Sequence, residues 1–249
     1  MTTSPALAAT TAPANLRDVR GLRTDHGDIV RRAVLYRSEV PLVGPARGTD
    51  VAIWPPATVI DLRSPAELLG PHPLGGVAAV HQVPLGTSLA PALAAAQTDD
   101  PDLTFAYRHL ARDAAAEIAG IIGLVATAPG PILVHCTAGK DRTGIVVGAL
   151  LRAIGVRRDD ILADYLRTEA NLPRLWATLR AAGVPEPHNR ALLGVQRAAL
   201  DAVLDEIDSV PGGAAGWLTG HGTDPDLLER LRRRLLSPGA HAADRQLIS

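Results

Sequence analysis

The residues of this 249-residue chain that could do chemistry are concentrated in one decapeptide, His-Cys-Thr-Ala-Gly-Lys-Asp-Arg-Thr-Gly, at positions 135–144. It contains the only cysteine of the chain, Cys136, and the only lysine, Lys140, among 25 basic residues. An ionised cysteine is a strong nucleophile, and the guanidinium of Arg142 can hold two phosphate oxygens at once. The Cys-x5-Arg spacing therefore predicts a site where a thiolate and a guanidinium meet one phosphoryl group.

Two predicted elements hold the decapeptide, a strand over residues 131–136 and a helix over residues 143–154. The strand is a short apolar run with β-branched residues, and the helix is a longer apolar run that stops before a glycine. A loop between such a strand and helix presents backbone N–H groups to an anion, and the helix dipole adds positive potential. Gly139 can adopt a positive φ, which keeps this loop narrow. We therefore expect the cysteine thiol to ionise readily.

The rest of the chain supplies the elements of an α/β fold. Short segments rich in β-branched residues predict three further strands, over residues 34–38, 58–62 and 79–85. Apolar periodicity and capping residues predict further helices over residues 101–128, 159–170, 175–182, 190–207 and 224–236. The predicted architecture is a central, mostly parallel sheet of about four to five strands flanked by helices, with an α-rich C-terminal half.

The predicted organisation is a single domain over residues 15–236, between a disordered lead-in (1–14) and a loose tail (237–249). Residues 165–184 form either a helical lid over the site or part of the core. The lead-in contains no lysine or arginine, so the positively charged start of a signal peptide is missing. We expect a cytoplasmic protein, and secretion without a signal peptide stays open.

Composition excludes several classes of function. The net charge is −1, so the chain lacks the basic excess that nucleic-acid binding requires. No apolar run is long enough for an integral membrane segment. A single cysteine rules out a disulfide framework, and the histidines outside the decapeptide are scattered without ligand spacing. We therefore expect no metal site and no cofactor.

The decapeptide resembles the signature loop of the cysteine-dependent phosphatases, and its Gly-Lys-Asp-Arg-Thr portion resembles that of bacterial PtpB-like tyrosine phosphatases. Other segments that resemble motifs of this family are Asn-Leu-Arg-Asp (15–18), Leu-Tyr-Arg-Ser (35–38), Thr-Val-Ile-Asp-Leu-Arg-Ser-Pro-Ala-Glu (58–67) and Ala-Asp-Tyr-Leu (163–166). Leu16 replaces the usual Phe, and Arg20 stands where the family commonly has a Gly-Gly pair. The resemblance implies a metal-independent protein-tyrosine phosphatase that forms a cysteinyl phosphate, with dual-specificity or phosphoinositide activity open.

Roles in the loop follow from this chemistry. Cys136 is the predicted nucleophile, and Arg142 with the loop N–H groups is predicted to stabilise the transferred phosphoryl group. The residues predicted to bind the substrate are Thr137, Ala138, Gly139, Lys140 and Thr143. The Thr143 hydroxyl could donate to the thiolate or cap the helix, and His135 is predicted to orient the loop through a buried hydrogen bond.

The general acid is the open assignment. A tyrosyl leaving group should depart with a proton, and the resemblance implies that Asp141 within the loop supplies it. Asp61 is the alternative, because it ends a predicted strand whose carboxyl end would lie near that of the cysteine strand. The resemblance also implies that Asp61 pairs with Lys140. Lys140 would then add charge suited to a multiply phosphorylated head group.

The predicted partners are a phosphotyrosine protein or a phosphoinositide as substrate, with inorganic phosphate as product. Two other functions remain as alternatives, a rhodanese-like sulfurtransferase and a non-catalytic phosphate-binding module. The Ile-Asp-Leu-Arg-Ser-Pro-Ala-Glu segment at 60–67 also resembles the rhodanese Asp-x-Arg segment, but the commonest rhodanese loop would place its basic residue at position 141, which is Asp. A binding module would keep the loop and usually lack Cys136.

Overall fold

The structure is a computed structural model that describes residues 12–42, 51–86, 89, 102–187 and 190–239. In chain order its strands are β1 (Arg17–Asp18), β2 (Ile29–Val30), β3 (Leu35–Ser38), β4 (Thr58–Asp61), β5 (Ala79–Gln82), β6 (Ile132–His135) and β7 (Leu236–Ser237). The helices are α1 (Leu103–Asp113), α2 (Ala115–Thr127), α3 (Asp141–Ala153), α4 (Arg158–Leu166), α5 (Leu172–Ala181), α6 (Arg197–Asp208), α7 (Gly213–Gly220) and α8 (Pro225–Leu235).

Within the described residues, five strands form a central sheet in the order β1-β3-β6-β4-β5. The strands β3, β6, β4 and β5 run parallel, and β1 pairs antiparallel with β3 at one edge. The four parallel strands that the structure shows each lie inside the range predicted for them from the sequence. The predicted α/β class with a mostly parallel sheet is confirmed.

The register of the central strands brings three polar residues to one edge of the sheet. His135, the last residue of β6, lies opposite Ser38 of β3 on one side and Asp61 of β4 on the other. All four residues of β6 are buried, as expected for a parallel strand covered on both faces. The chain after β6 leaves the sheet at this carboxyl edge, where ligand sites of parallel sheets lie.

Helix α3, which follows the loop, is buried almost all round. Arg152 is its one residue that is not buried. The helix packs against α4, α6 and α7 and against the central strands. Burying each of its leucine or isoleucine side chains is worth about 1.5–3 kcal/mol, so this packing fixes the position from which the loop departs.

The predicted single helix over residues 101–128 is wrong, because two helices, α1 and α2, meet at Ala114. The backbone of Ala114 leaves helical geometry with φ −103° and ψ 21°. The first helix packs on α6, whereas the second packs on α8. No glycine or proline marks this break, so the apolar pattern alone could not reveal it.

Two further differences lie in the C-terminal half. Helix α7 was not predicted, because it has glycine at both ends and a third at Gly216, a composition typical of loops. Its Trp217 and Leu218 are buried in the core, which stabilises the helix despite its low propensity. The predicted helix over 190–207 begins as a short 3-10 turn at Arg190–Leu192, and α6 starts after it.

The predicted lead-in and tail lie mostly outside the described residues. At their inner ends, Ala14 is buried, and Ser237 belongs to β7, which pairs with β2. The folded part therefore extends past residues 15 and 236 on both sides. No helix in the described ranges is both long enough and apolar enough to cross a lipid bilayer.

Candidate active site

The predicted nucleophile lies where β6 ends. Cys136 is 2% exposed, and the loop after it runs to Asp141, the first residue of α3. Gly139 in this loop has a φ of 63°. A Cβ at this position would come within 2.1 Å of the Ser38 carbonyl oxygen. Only glycine therefore fits, for backbone conformation and for space.

The loop is anchored through its carbonyl groups, which leaves its N–H groups free. The Gly139 carbonyl accepts hydrogen bonds from Asn15 Nδ2 and Arg37 Nη2, each at 3.1 Å. In the part of the chain that the structure describes, no hydrogen bond engages the backbone N–H groups of residues 137–140. Buried N–H groups nearly always have a partner, so an uncommitted row of them indicates an anion site.

The guanidinium of Arg142 is held by a buried glutamate that the sequence analysis missed. Its two Nη atoms each lie 2.6 Å from a carboxylate oxygen of Glu67, and the Thr137 hydroxyl donates to the same carboxylate at 2.6 Å. Burial is the largest influence on Glu67 and opposes its ionisation, but the hydrogen bonds and charge of Arg142, with the hydrogen bonds from Thr137 and the Ser64 N–H, together lower the pKa of this carboxyl. Glu67 ends the motif quoted at 58–67, and only folding brings it to the loop.

Burial also disfavours the charge on Arg142, but Glu67 and the sulfur of Cys136 raise its pKa above the ordinary value. Its Nε and the Thr143 hydroxyl are both buried without a hydrogen-bond partner among the described residues. An unsatisfied buried polar group costs about 1–3 kcal/mol, and such groups are commonly found where a ligand binds. Neither predicted Thr143 contact, to the thiolate or as a cap, is formed.

The predicted pairing of Lys140 with Asp61 is not formed. The Lys140 ammonium donates to the carbonyl oxygens of Leu192 and Gly194, at 2.6 and 2.7 Å, and lies 3.4 Å from Asp141 Oδ1. Its residue is only 1% exposed. The lysine therefore ties the loop to the segment before α6, and its charge is not presented to a head group.

Asp61 is instead held by the arginine two residues along the chain. Arg63 donates to both carboxylate oxygens, with Nε–Oδ1 at 2.9 Å and Nη2–Oδ2 at 2.7 Å. Burial would raise the pKa of Asp61, but Arg63 and His135 outweigh burial and lower it. Asp61 is therefore a buried anion with a committed partner.

His135 contacts the backbone of Cys136, the predicted nucleophile. Its Nδ1 lies 3.1 Å from the Cys136 carbonyl oxygen, and its Nε2 lies 2.9 Å from Nε2 of His72. Burial lowers the pKa of His135 to about 4 and also lowers that of His72. Both rings are therefore neutral near pH 7, and the buried contact predicted for His135 is present.

In the sequence His72 is one of several scattered histidines, but the fold brings it next to His135. Asp61, His72 and His135 each offer a ligand atom within 4.8 Å of the others, so their donor types could hold a metal ion. The Leu74 N–H already donates to His72 Nδ1, which leaves the proton of that ring on Nε2, facing His135. The ring nitrogens of His72 and His135 that could bind a metal ion are thus already engaged in hydrogen bonds.

Asp141, the predicted acid, lies in the first turn of α3 and is 5% exposed. Its Oδ1 accepts a hydrogen bond from the hydroxyl of Tyr107, a residue of α1 that the sequence analysis did not single out. Tyr107 is fully buried, and burial followed by the charge of Asp141 raises its pKa well above 10. The carboxyl group thus has a neutral donor on one oxygen.

Three segments quoted for the family resemblance meet behind the loop in a buried charge network. Asp164 accepts from Arg17 Nε and from Arg37 Nη1, both at 2.9 Å. Burial, followed by the repulsion from Arg37, lowers the pKa of Arg17 to about 10. Because Arg37 also bonds the Gly139 carbonyl, the network positions the loop from behind.

The segment predicted as either lid or core includes α5. Its apolar residues Leu175, Trp176 and Leu179 form a buried cluster with Ala138 of the loop and with Val40. Trp176 Nε1 also donates to the Leu193 carbonyl oxygen at 3.0 Å. The apolar side of this helix is therefore part of the same buried cluster as the loop.

Comparisons with known proteins agree with this geometry. The model of the tyrosine phosphatase family matches residues 9–237. A putative tyrosine-protein phosphatase of Cupriavidus necator is 32% identical over 225 residues, which cover 82% of this chain and 77% of that protein.

Two other relatives align over shorter stretches. The triple specificity protein phosphatase PtpB of Mycobacterium tuberculosis is 36% identical over 121 residues, 43% of this chain and 44% of that protein. A tyrosine-protein phosphatase of Nostoc commune is 35% identical over 126 residues, 47% of this chain and 42% of that protein. Each of these two matches spans less than half of the relative. On the family match and the Cupriavidus relative together, the chain belongs to the tyrosine phosphatase family, as predicted.

Proposed function

We propose that this chain hydrolyses phosphotyrosine in proteins through a cysteinyl-phosphate intermediate on Cys136, without a metal ion. The observation that carries the proposal is the buried cysteine beside a row of uncommitted N–H groups, residues 137–140, and the guanidinium of Arg142. These groups would neutralise the charge on the equatorial phosphoryl oxygens. A cytoplasmic setting suits a lone cysteine that must stay reduced.

In the first step the Cys136 thiolate attacks phosphorus. The S–P bond forms as the P–O bond to the tyrosyl oxygen breaks, and Asp141 gives its proton to that oxygen. The tyrosine side chain leaves as a neutral phenol. Arg142 and the loop N–H groups hold the phosphoryl group in line throughout the transfer.

In the second step water attacks the cysteinyl phosphate. The Asp141 carboxylate takes a proton from the water as the new O–P bond forms and the S–P bond breaks. Inorganic phosphate leaves, and the thiolate on Cys136 and the proton on Asp141 are both restored. The cycle therefore consumes one water and needs no cofactor.

Two observations support Asp141 over Asp61 as the acid. Asp61 is fully buried, its carboxylate is bound through both oxygens by Arg63, and its pKa is lowered, so it has no proton to give near pH 7. Asp141 directly precedes Arg142 in the first turn of α3, and a side chain hydrogen-bonds only one of its oxygens among the described residues.

Glu67 supports Arg142 in this scheme. Its carboxylate takes hydrogen bonds from both Nη atoms and from Thr137, so the guanidinium plane is fixed before substrate arrives. Such preorganisation lowers the reorganisation needed in the transition state. Two donors of Arg142 are then left to bind phosphate bidentately: Nε, which is buried without a partner among the described residues, and the second N–H of Nη2.

Broader specificity has a weaker basis in this chain. The relative named triple specificity phosphatase is one reason to test phosphoserine, phosphothreonine and phosphoinositides as substrates. Lys140 offers no exposed charge to a phosphoinositide head group, because it is buried and bonded to carbonyl groups. We therefore propose phosphotyrosine as the principal substrate.

Turnover of p-nitrophenyl phosphate by the wild-type chain with excess EDTA tests the proposal. We expect full activity with EDTA and none in Cys136→Ser, which retains the loop but removes the nucleophile. Arg142→Lys should also lose most activity, because a lysine cannot bind bidentately. Activity that requires added metal, or that survives Cys136→Ser, would exclude the mechanism.

A further inference from the structure

A hydrogen-bonded chain of two buried tyrosines ends on Asp141. Tyr107 of α1 and Tyr165 of α4 have their hydroxyl oxygens 2.8 Å apart, and Tyr107 also reaches Asp141 Oδ1. Two helices, α1 and α4, are therefore linked through hydroxyl groups to one oxygen of the predicted acid.

The direction of the hydrogen bonds in this chain follows from its end at Asp141. An ionised carboxylate oxygen can only accept, so Tyr107 gives its single proton to Asp141 Oδ1. With that proton committed, the Tyr107 oxygen accepts from the Tyr165 hydroxyl. The reverse direction would leave Asp141 Oδ1 without this donor.

The same oxygen of Asp141 has a second neighbour besides the Tyr107 hydroxyl. This neighbour is the positively charged Lys140 ammonium, at 3.4 Å. With Tyr107 donating and Lys140 close by, Oδ1 is a poor place for a proton. When the carboxyl is protonated, the proton therefore resides on Oδ2. Only that oxygen can then pass a proton to a leaving group.

We propose that Tyr107 is a positioning residue, whose hydroxyl fixes the Asp141 carboxyl and directs its transferable proton to Oδ2. This inference rests on the proposed function, since it needs Asp141 to be the general acid. Tyr107 touches neither the substrate nor the phosphoryl group in this scheme. Its effect reaches the reaction only through the orientation of Asp141.

The test compares Tyr107→Phe with wild type on aryl phosphates that differ in leaving group. Phenyl phosphate needs a proton on its poor leaving group, whereas 2,4-dinitrophenyl phosphate does not. We expect kcat on phenyl phosphate to fall about 10-fold, a part of the roughly 10²–10⁴-fold that general acid catalysis supplies. The rate on 2,4-dinitrophenyl phosphate should change less than about 2-fold.

Asp141→Asn separates this inference from the proposed function. If that variant loses equally on both substrates, the acid assignment itself fails. If Asp141→Asn is slowed selectively on phenyl phosphate but Tyr107→Phe is not, the acid assignment stands and only the positioning role of Tyr107 fails. The double variant should be no slower than Asp141→Asn alone, and an additive loss would overturn the positioning role.

Two further variants guard against a general loss of structure. Tyr165→Phe removes the donor to Tyr107 and should give the same leaving-group pattern with a smaller loss, which keeps the inference testable if Tyr107→Phe does not fold. Phe105→Leu on α1, where Phe105 is 65% exposed, should change neither rate. Equal losses on both substrates in the Tyr variants would overturn the inference.

Discussion

At the scale of single residues, the site depends on buried side chains whose charge is set by one or two neighbours. Glu67 and Arg142 stay charged in a buried pocket because each supplies the other's hydrogen bonds. His135 is the opposite case, a buried ring without a sufficient counter-charge. The balance between burial and partners thus decides the ionisation of each group.

The neutral state of His135 predicts a pH dependence of stability. Burial lowers its pKa to about 4, against an ordinary value of 6.5. Between these values the unfolded chain binds the proton and the folded chain does not. The stabilising contribution of neutral His135 is therefore fully present above about pH 6.5 and is lost as the pH falls toward 4. The free energy of unfolding decreases by up to about 3 kcal/mol over this range.

Urea unfolding at about pH 7 and about pH 4.5 measures this change. His135→Gln should flatten the slope of stability against pH in this window, even if the variant is less stable overall. The exposed His26→Gln is the matched control and should keep the wild-type slope. An unchanged slope in His135→Gln would show that another group dominates.

At the scale of elements, the loop is narrow because β3 and the loop approach each other at Gly139. The backbone conformation there has a positive φ, and the Ser38 carbonyl occupies the place of a side chain. Gly139→Ala should therefore displace the loop from β3 and lose phosphate binding. We expect kcat/KM on p-nitrophenyl phosphate to fall at least about 100-fold, the cost of a displacement near 1 Å.

Calorimetric titration with inorganic phosphate checks the same variant independently of turnover. Gly148→Ala in α3 is the matched control and should keep wild-type phosphate affinity, because a Cβ there meets only side-chain carbon atoms, at 3.4 Å or more. Wild-type phosphate affinity in Gly139→Ala would contradict the close approach described for the loop.

The four central strands and the helix after the loop could be predicted from local patterns, because apolar runs bounded by glycine and proline fix them. The break at Ala114 could not, since it follows from α1 and α2 packing on different helices. The pairing of β7 with β2 joins residues 205 or more positions apart. Contacts of this kind leave no local signal.

The same distinction applies to the site. Cys136, Arg142 and Gly139 were identifiable because they lie within a few residues of one another. Glu67 and Tyr107 were not, because they reach the loop from elements 75 and 34 residues away. The expected Asp61–Lys140 pair failed because each group has nearer partners.

At the scale of the whole molecule, the fold brings the predicted nucleophile, Cys136, the loop N–H groups and the predicted acid, Asp141, to the carboxyl edge of a mostly parallel sheet. The N-terminal segment, β3, α5 and the residues before α6 all bond or pack against the loop. Asp164 of α4 in turn holds Arg37 of β3, so the shape of the loop depends on most of the domain. The tyrosine phosphatase family model matches residues 9–237, a range that includes nearly all the residues that the structure describes. The site is thus a property of the entire fold.

The central claim is that phosphate passes through a covalent bond to Cys136. The direct measurement is mass spectrometry of the chain after acid quenching during turnover of an aryl phosphate, with fragmentation to locate the adduct. We predict a phosphoryl group on Cys136 that disappears as substrate is exhausted and is absent in Cys136→Ser. A fully active chain that never carries phosphate on this cysteine, or carries it elsewhere, would contradict the mechanism.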